Sequence, residues 1–374
     1  MSAVLPNPSI LPPTAGRGRL TGRGGWPLLA ITLAVGVLVP VLNLALPVGH
    51  ALHMSDFAVS LVAKIMCYAM CALAMDLIWG YCGILSLGHG MFFALGGYVM
   101  GMYLMRQIGR DGNYQSDLPD FMVFLDWKTL PWHWALSDSF IATLALVVLV
   151  PGLLAFVFGY FAFRSRIKGV YFSIITQAMT YAAMLLFFRN ETGFGGNNGF
   201  TDFKRILGFA IATPSMRMSL FVLTGLVLIG FFLFARWLVG TKFGRVLQAI
   251  RDAESRVMFT GYDPLRYKLS IWVISAVMCG IAGALYVPQV GIINPSEMSP
   301  AAGIEIAIWA AVGGRGTLVG PIVGAFFVNG AKSWFTQVFP EVWLYFLGAL
   351  FIAVTLFLPH GIIGLVRKIR ERKP

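Results

Sequence analysis

The chain has 374 residues, of which 58% are hydrophobic and only 12% are charged, and its mean hydropathy is +0.77. Because soluble domains carry about 25% charged residues, this composition excludes a water-soluble globular protein or enzyme. The net charge of +12 would suit a nucleic-acid-binding protein, but a membrane protein gains the same excess from its cytoplasmic loops. The positions of the charges therefore decide between these two classes.

The chain begins with a segment, 1–26, that is rich in Pro, Gly and Arg. This composition predicts a disordered cytoplasmic N-terminus. The apolar run 27–48 that follows is longer than the core of a signal peptide, so we expect a retained membrane anchor.

Nine further apolar segments follow, and most approach the roughly 20 residues that a membrane-crossing helix needs: 58–78, 84–105, 140–163, 170–188, 218–239, 269–287, 300–312, 317–335 and 342–366. The segment 300–312 is too short to cross alone. Because Gly313-Gly314-Arg315-Gly316 follows it, we predict a broken helix of the kind that borders a transport path.

The charges fit a chain in which both termini are cytoplasmic and all ten segments cross the membrane. This arrangement places 19 Lys and Arg residues on the cytoplasmic side, with a net charge of +15, and 7 on the other side, with a net charge of −3. Lys and Arg are concentrated in cytoplasmic loops, so the positive excess indicates topology and not nucleic-acid binding.

The predicted fold is therefore an all-α integral membrane protein with about ten transmembrane segments, one of them short and broken, in an N-in/C-in orientation. The transmembrane domain covers 27–366, and a basic cytoplasmic tail covers 367–374. Contact with membrane lipid is implied, and a nucleic-acid partner is not expected.

Four ionisable residues fall inside apolar segments. Lys64 and Lys332 lie near the outer ends, where long basic side chains are expected to reach the interface. Asp76 and Glu305 are more costly, at about 2.5 to 3.5 kcal/mol for a carboxylate in a membrane helix, and such groups face a cavity or a partner. Both a transport role and structural pairing, with Arg315 or a hydroxyl, remain open for these two carboxylates.

No catalytic or metal-binding pattern is present in the sequence. The chain lacks a phosphate-binding loop, its five histidines are scattered, and its four cysteines have no metal-ligand spacing. We therefore predict no catalytic residue, no metal site and no cofactor. The glycine-rich stretch 80–98 predicts close helix packing, and its polar members Ser86 and His89 are candidates for lining a path.

The loop 107–139 carries Trp127, Trp132 and Trp134 on the predicted outer side. Tryptophan is enriched at membrane interfaces, so we expect these residues to anchor the chain there. Docking of an external binding protein is the alternative.

The loop 240–268 predicts an amphipathic helix. Val246, Ala249, Ile250, Ala253 and Val257 recur at helical spacing, and charged residues occupy the other faces. Gly261 and Pro264 predict where this helix ends. A helix that merely lies on the bilayer surface remains an alternative.

This loop resembles the cytoplasmic coupling segment of ABC importer permeases of the branched-chain amino acid type. The resemblance is carried by Gly244, Arg245, Ala249, Ile250, Arg251, Glu254, Gly261, Arg266, Tyr267 and Lys268. It continues through Ile304-Glu305-Ile306, through Gly313-Gly314-Arg315-Gly316-Thr317 and through the stretch 80–98, and it covers nearly all of the chain after residue 58. Val257 and Phe259 stand where the family has small alanines, which alters the expected docking contacts.

Two departures point to a sub-branch of this family. Asp76 stands where these permeases commonly have Asn, and Gln177 stands where an apolar residue is usual. Together with the stretches 76–83, 118–125 and 187–199, these residues resemble the C-type permease subunit of the urea importer.

The resemblance implies a non-catalytic subunit of an ATP-driven importer in the bacterial inner membrane. Its expected partners are a second homologous permease, two cytoplasmic ABC ATPase subunits and a periplasmic substrate-binding protein. We expect the substrate path to include Asp76, Ser86, His89, Gln177 and Glu305. Contact with the ATPase is expected from Arg245, Arg251, Asp252, Glu254, Arg256 and Gly261.

Urea has four N–H donors and one carbonyl acceptor, so carboxylate and amide acceptors suit it. A permease for branched-chain amino acids or short-chain amides is the alternative within the family. A gradient-driven transporter or channel is the alternative outside it, and Asp76 and Glu305 would then be proton or ion sites.

Overall fold

The computed structural model describes residues 36, 38–44, 50, 53–339, 341–357 and 361–365. The predictions for 1–26, for most of 27–48 and for the tail 367–374 fall outside these residues. The described helices are, in chain order, α1 Asp56–Cys82, α2 His89–Arg106, α3 Asp120–Phe124, α4 Phe140–Arg164, α5 Val170–Phe187, α6 Pro214–Gly240, α7 Lys242–Phe259, α8 Pro264–Val290, α9 Pro300–Gly313, α10 Val319–Val338 and α11 Trp343–Phe357.

Strands make only a small contribution to the described residues. β1 Phe200–Thr201 pairs antiparallel with β4 Ile292–Ile293, and β2 Arg205–Ile206 pairs antiparallel with β3 Phe209–Ala210. The predicted helical class is confirmed.

Five of the described helices, α1, α4, α5, α6 and α8, are long and apolar enough to cross a membrane, and α9 is a shorter apolar helix. These helices agree with an integral membrane protein, and the short helix predicted at 300–312 is present as α9. The number of ten crossings and the N-in/C-in orientation stay predictions.

The helix predicted over 84–105 begins later, at His89. Gly83 ends α1 in the left-handed region, with φ of 78°, and two of the next residues bond to α5. The Ser173 hydroxyl donates to the Leu85 carbonyl at 2.8 Å, and Thr176 Oγ1 accepts from the Leu87 N–H at 3.1 Å. Because α5 and a bond from the Gly88 N–H to Ser86 Oγ satisfy these backbone groups, the junction 84–88 does not need to be helical.

Glycines set the closest helix contacts, as the sequence predicts. A Cβ on Gly283 of α8 would lie 1.8 Å from the Phe93 carbonyl oxygen of α2, and a Cβ on Gly96 would lie 2.0 Å from the Gly280 carbonyl oxygen. A Cβ on Gly313 of α9 would lie 1.7 Å from the Gly320 carbonyl oxygen of α10. These helices can therefore pack at this distance only with glycine at the contact.

The helix junctions gather at two ends of the bundle. The coupling end contains 83–88, 165–169, 241–263 and 314–318, and there Lys168 Nζ lies 2.8 Å from Glu254 Oε2. The distal end contains 107–139, 188–213 and 291–299, and there β1 pairs with β4.

Candidate coupling site and transport path

Helix α7 at the coupling end is amphipathic, as predicted, and ends before Gly261, whose φ is 84°. Its apolar face is covered by protein, since Val246, Leu247, Ile250 and Val257 are buried. The opposite face exposes Arg245, Ala249, Asp252, Arg256 and Phe259, and Phe259 is 92% exposed. Ala253 has a non-helical backbone, with φ of −160° and ψ of 76°, and divides α7 into two parts.

Arg251 turns toward the bundle. Its Nη1 donates to the Gly80 carbonyl at 2.7 Å, and its Nε donates to Asp252 Oδ1 at 2.8 Å. The Gly80 carbonyl belongs to the last turn of α1, where carbonyls lack partners within the helix. Arg251 therefore attaches α7 to the end of α1.

Glu254 turns toward the bundle as well, on the other side of the bend at Ala253. Its carboxylate accepts from Lys268 Nζ of α8 at 2.5 Å and from Lys168 Nζ at 2.8 Å. Burial acts to raise the pKa of Glu254, but the bonds and charges of the two lysines outweigh this and hold the pKa below its usual value. Glu254 is therefore an ionised bridge between α7, α8 and the junction 165–169.

The residues expected to contact the ATPase thus divide into two sets. Arg245, Asp252 and Arg256 point away from the bundle, whereas Arg251 and Glu254 hold α7 onto it. We expected all of these residues to face a partner. The local sequence pattern shows neither the bend at Ala253 nor the residues that Arg251 and Glu254 bond to.

Asp76 is fully buried on α1 and faces the broken segment between α9 and α10. Its two carboxylate oxygens accept from the Gly316 N–H and, at 3.1 Å, from the Leu318 N–H. Arg315 lies over the Trp79 ring, 5.4 Å from its centroid, and remains within electrostatic range of Asp76. Asp76 therefore holds the start of α10 through backbone amides, where a carboxylate also suits the positive end of the helix dipole.

Ser86 and His89 lie in and just after the junction 84–88, and both are fully buried. Ser86 Oγ accepts from the Gly88 N–H at 3.1 Å, and His89 Nε2 lies 3.2 Å from Ser275 Oγ of α8. Gln177 is partly buried on α5, next to Thr176, which holds this junction. The structure thus places Ser86 and His89 at one junction, with Gln177 on the helix that holds it, and places Asp76 and Glu305 on other contacts.

Glu305 of α9 forms an ion pair with Lys332 of α10. The lysine Nζ lies 2.7 Å from Oε1 and 2.9 Å from Oε2. The neighbouring helix thus offers Lys332 an opposite charge that the sequence pattern did not predict, and its position relative to the membrane interface stays a prediction. Lys64 lies over two aromatic rings, with Nζ 5.6 Å from the Tyr68 centroid and 5.9 Å from the Tyr286 centroid.

Tyr286 and Glu297 belong to the same region, although no sequence pattern predicts a role for them. The Tyr286 hydroxyl donates to Glu297 Oε1 at 3.1 Å, and Glu297 lies within electrostatic range of Lys64, Lys332 and Glu305. A tyrosine inside an apolar segment was the available signal. Among the described residues, no three His, Cys, Asp or Glu side chains come together in a way that could hold a metal ion.

The three tryptophans of the loop 107–139 have different environments. Trp134 is only 5% exposed, and its Nε1 donates to the Gly193 carbonyl at 3.0 Å. Trp132 is 88% exposed. The expectation of interfacial anchoring is therefore wrong for Trp134, which packs against Phe194 and Phe200 in the interior of the distal end.

Comparison with known proteins identifies the family. The family described as "Branched-chain amino acid transport system / permease component" matches residues 57–355. The permease protein LivM of Salmonella typhimurium is 24% identical, over 87% of this chain and 74% of the relative, and LivM of Escherichia coli is 23% identical over the same shares. BraD of Pseudomonas aeruginosa is 24% identical over 79% of this chain and 91% of the relative. No solved structure matches the chain.

The family match covers most of the chain, including the coupling helix, the broken segment and all the predicted path residues. Its members are multi-pass transport subunits and not enzymes. The chain therefore belongs to the branched-chain amino acid type of ABC transporter permeases.

Proposed function

We propose that this chain is a permease subunit of an ATP-driven urea importer in the bacterial inner membrane. It would pair with a second homologous permease, two cytoplasmic ABC ATPase subunits and a periplasmic substrate-binding protein. In this proposal the chain crosses the membrane ten times with both termini in the cytoplasm. The grouping of the helix junctions at two ends of the bundle supports this topology.

A neutral substrate is favoured because the buried carboxylates already have partners within the chain. Asp76 accepts hydrogen bonds from two backbone amides, and Glu305 forms an ion pair with Lys332. A zwitterionic amino acid needs a partner for each of its charges, whereas urea needs only hydrogen-bond donors and acceptors. In this proposal Ser86, His89 and Gln177 offer hydrogen bonds along the path, and Asp76 and Glu305 shape it by holding the broken segment and α9.

The exposed face of α7 supports the ATP-driven part of the proposal. Arg245, Asp252 and Arg256 present both charge signs at the coupling end, and Phe259 adds an apolar side chain beside them. Such a mixed surface with an exposed aromatic residue suits a protein partner. Gly261 ends the helix and directs the chain back into α8.

A permease for branched-chain amino acids is the second candidate, and the names of the relatives favour it. Uptake of radiolabelled urea and of leucine should be compared in a strain that lacks this chain and in the same strain complemented with it. Restored urea uptake without restored leucine uptake supports the proposal, and restored leucine uptake alone overturns the urea assignment.

The energy source is tested in the same cells. Depletion of ATP with the proton gradient intact should abolish uptake, and the two ATPase subunits should co-purify with the chain. Uptake that survives ATP depletion and stops when an ionophore removes the gradient would overturn the ATP-driven assignment in favour of a secondary transporter.

A further inference from the structure

The coupling helix and the broken transmembrane segment both contact the last turns of α1. From the cytoplasmic side, Arg251 of α7 donates to the Gly80 carbonyl. The Arg251 side chain also packs on the backbone at Gly83, where a Cβ would lie 2.7 Å from Arg251 Cγ. Arg251 therefore fits closely against the end of α1, and its contact combines a charged hydrogen bond with packing.

The same turns of α1 also reach the broken segment. Asp76 accepts from the amides of Gly316 and Leu318. A Cβ on Gly80 would lie 2.5 Å from the Gly316 nitrogen, so the two backbones are in direct contact there. One residue, Gly80, thus touches the coupling helix with its carbonyl and the broken segment with its α-carbon.

We propose that the end of α1, Asp76–Gly83, is the relay that transmits movement of α7 to the broken segment 314–318. This inference rests on the proposed ATP-driven function and adds the route by which the ATPase reaches the transport path. Arg251 is the input of the relay, and Asp76 and Gly80 are its output. All three act as positioning residues.

The physical basis of the relay is a rigid element that is hydrogen-bonded both to α7 and to the broken segment. The end of α1 is helical, and Asp76 and Gly80 are buried. A small displacement of α7 therefore shifts the Gly80 carbonyl and, with it, the amides that Asp76 holds, because a close-packed helix turn resists compression. Coupling between two sites requires an element whose position both sites influence.

A purely structural role for Arg251 is the competing explanation, and the test must separate the two. The readout is hydrogen–deuterium exchange at the amides of Gly316 and Leu318 in the purified transporter complex in lipid nanodiscs, with and without ATP plus orthovanadate. A peptide from α7 is measured in the same samples as an internal reference, since α7 should respond whenever the ATPase is bound.

In the native complex, ATP plus orthovanadate should change exchange at these two amides by about tenfold, a factor typical of coupled sites. In Arg251→Gln this change should disappear, while the α7 peptide still responds. Arg251→Lys keeps a donor and should retain part of the response. Arg164→Gln is the matched control, because Arg164 is an exposed arginine at the same end that contacts Tyr160 on its own helix.

Asp76→Asn tests the output separately. The Asn side-chain nitrogen is a donor and cannot accept from the backbone N–H that it would face. The change in exchange at Gly316 or Leu318 should therefore be lost, while Arg251 remains bonded to Gly80. An Arg251→Gln complex that keeps the full response at Gly316 and Leu318 would overturn the relay. A native chain that binds no ATPase would overturn the proposed function itself, and the relay with it.

Discussion

Lys332 Nζ lies within 2.9 Å of both carboxylate oxygens of Glu305, and this ion pair joins α9 to α10 across the broken segment. The side chain of Glu305 is 16% exposed and that of Lys332 is 38% exposed. Removal of one partner takes the nearest opposite charge away from the other in a largely apolar setting.

Glu305→Gln and Lys332→Gln should therefore each destabilise the protein by about 1 to 3 kcal/mol, a range reduced from that of fully buried pairs because Lys332 is partly exposed. The double variant should be more stable than either single variant. Thermal unfolding in detergent measures this double-mutant cycle. Additive losses would contradict a direct interaction between the two side chains.

The ion pairs of Glu254 predict a specific dependence on pH. Although burial opposes ionisation, the two lysines hold the pKa of Glu254 below the ordinary value of 4.5. A carboxylate whose pKa is lowered by folding stabilises the folded state. This stabilisation is fully present above the ordinary pKa and is lost as pH falls through the folded-state pKa. A spin label at Ser255→Cys should therefore keep constant mobility from about pH 8 to about pH 4.5 and gain mobility below that value.

Glu254→Gln is the control for this titration, because it lacks the ionisable group. The label should be mobile in this variant at every pH. An unchanged pH profile in Glu254→Gln would assign the transition to another group.

Glycine substitutions test the close contact between α2 and α8. Gly283→Ala would place a Cβ 1.8 Å from the Phe93 carbonyl oxygen, so we expect a loss of at least about 2 kcal/mol of stability. Gly230→Ala on α6 is the matched control, since a Cβ there meets no atom within 4 Å. Thermal unfolding should separate the two variants clearly, and equal stability would contradict the described packing.

Two tryptophans of the distal end should respond differently to truncation. Trp134→Ala removes a buried ring and its bond to Gly193, and we expect a loss of about 3 to 5 kcal/mol. Trp132→Ala removes a ring that is 88% exposed and should change folding stability by no more than about 0.5 kcal/mol. Unfolding in detergent measures both. A severe effect of Trp132→Ala and a mild effect of Trp134→Ala would reverse the described burial.

The proposed orientation predicts the labelling of engineered cysteines in spheroplasts. All four native cysteines are buried, so a membrane-impermeant maleimide should give little background. Ser215→Cys at the distal end should react in intact spheroplasts, because the basic coupling end stays in the cytoplasm. Ser255→Cys on α7 should react only after lysis. The opposite pattern would invert the topology.

The sequence predicts α7 and its end near Gly261 because helical periodicity and a terminating glycine are local signals. The same kind of signal predicts the apolar helices and the glycine contacts. Local periodicity does not give the direction of Arg251 and Glu254, since Gly80 and Lys168 lie far away in the sequence and Lys268 lies on the next helix.

Asp76 illustrates the limit most clearly. A buried carboxylate in an apolar segment predicts that some partner exists, but side-chain types alone suggest Arg315 or a hydroxyl. The actual partners are backbone amides, and an amide carries no mark of its role in the sequence. Only the path of the broken segment beside α1 determines which amides Asp76 reaches.

The pairing of Phe200 with Ile293 has a consequence for the order of biosynthesis. β1 emerges from the ribosome before α6, α7 and α8, whereas β4 emerges after them, so the distal end cannot close until α8 has been inserted. During that interval the aromatic side chains around Phe200 lack the strand that covers them. Ribosome-arrested chains in which residues 292–293 have not left the ribosome should therefore leave this end open to proteases, and chains in which these residues have emerged should close it.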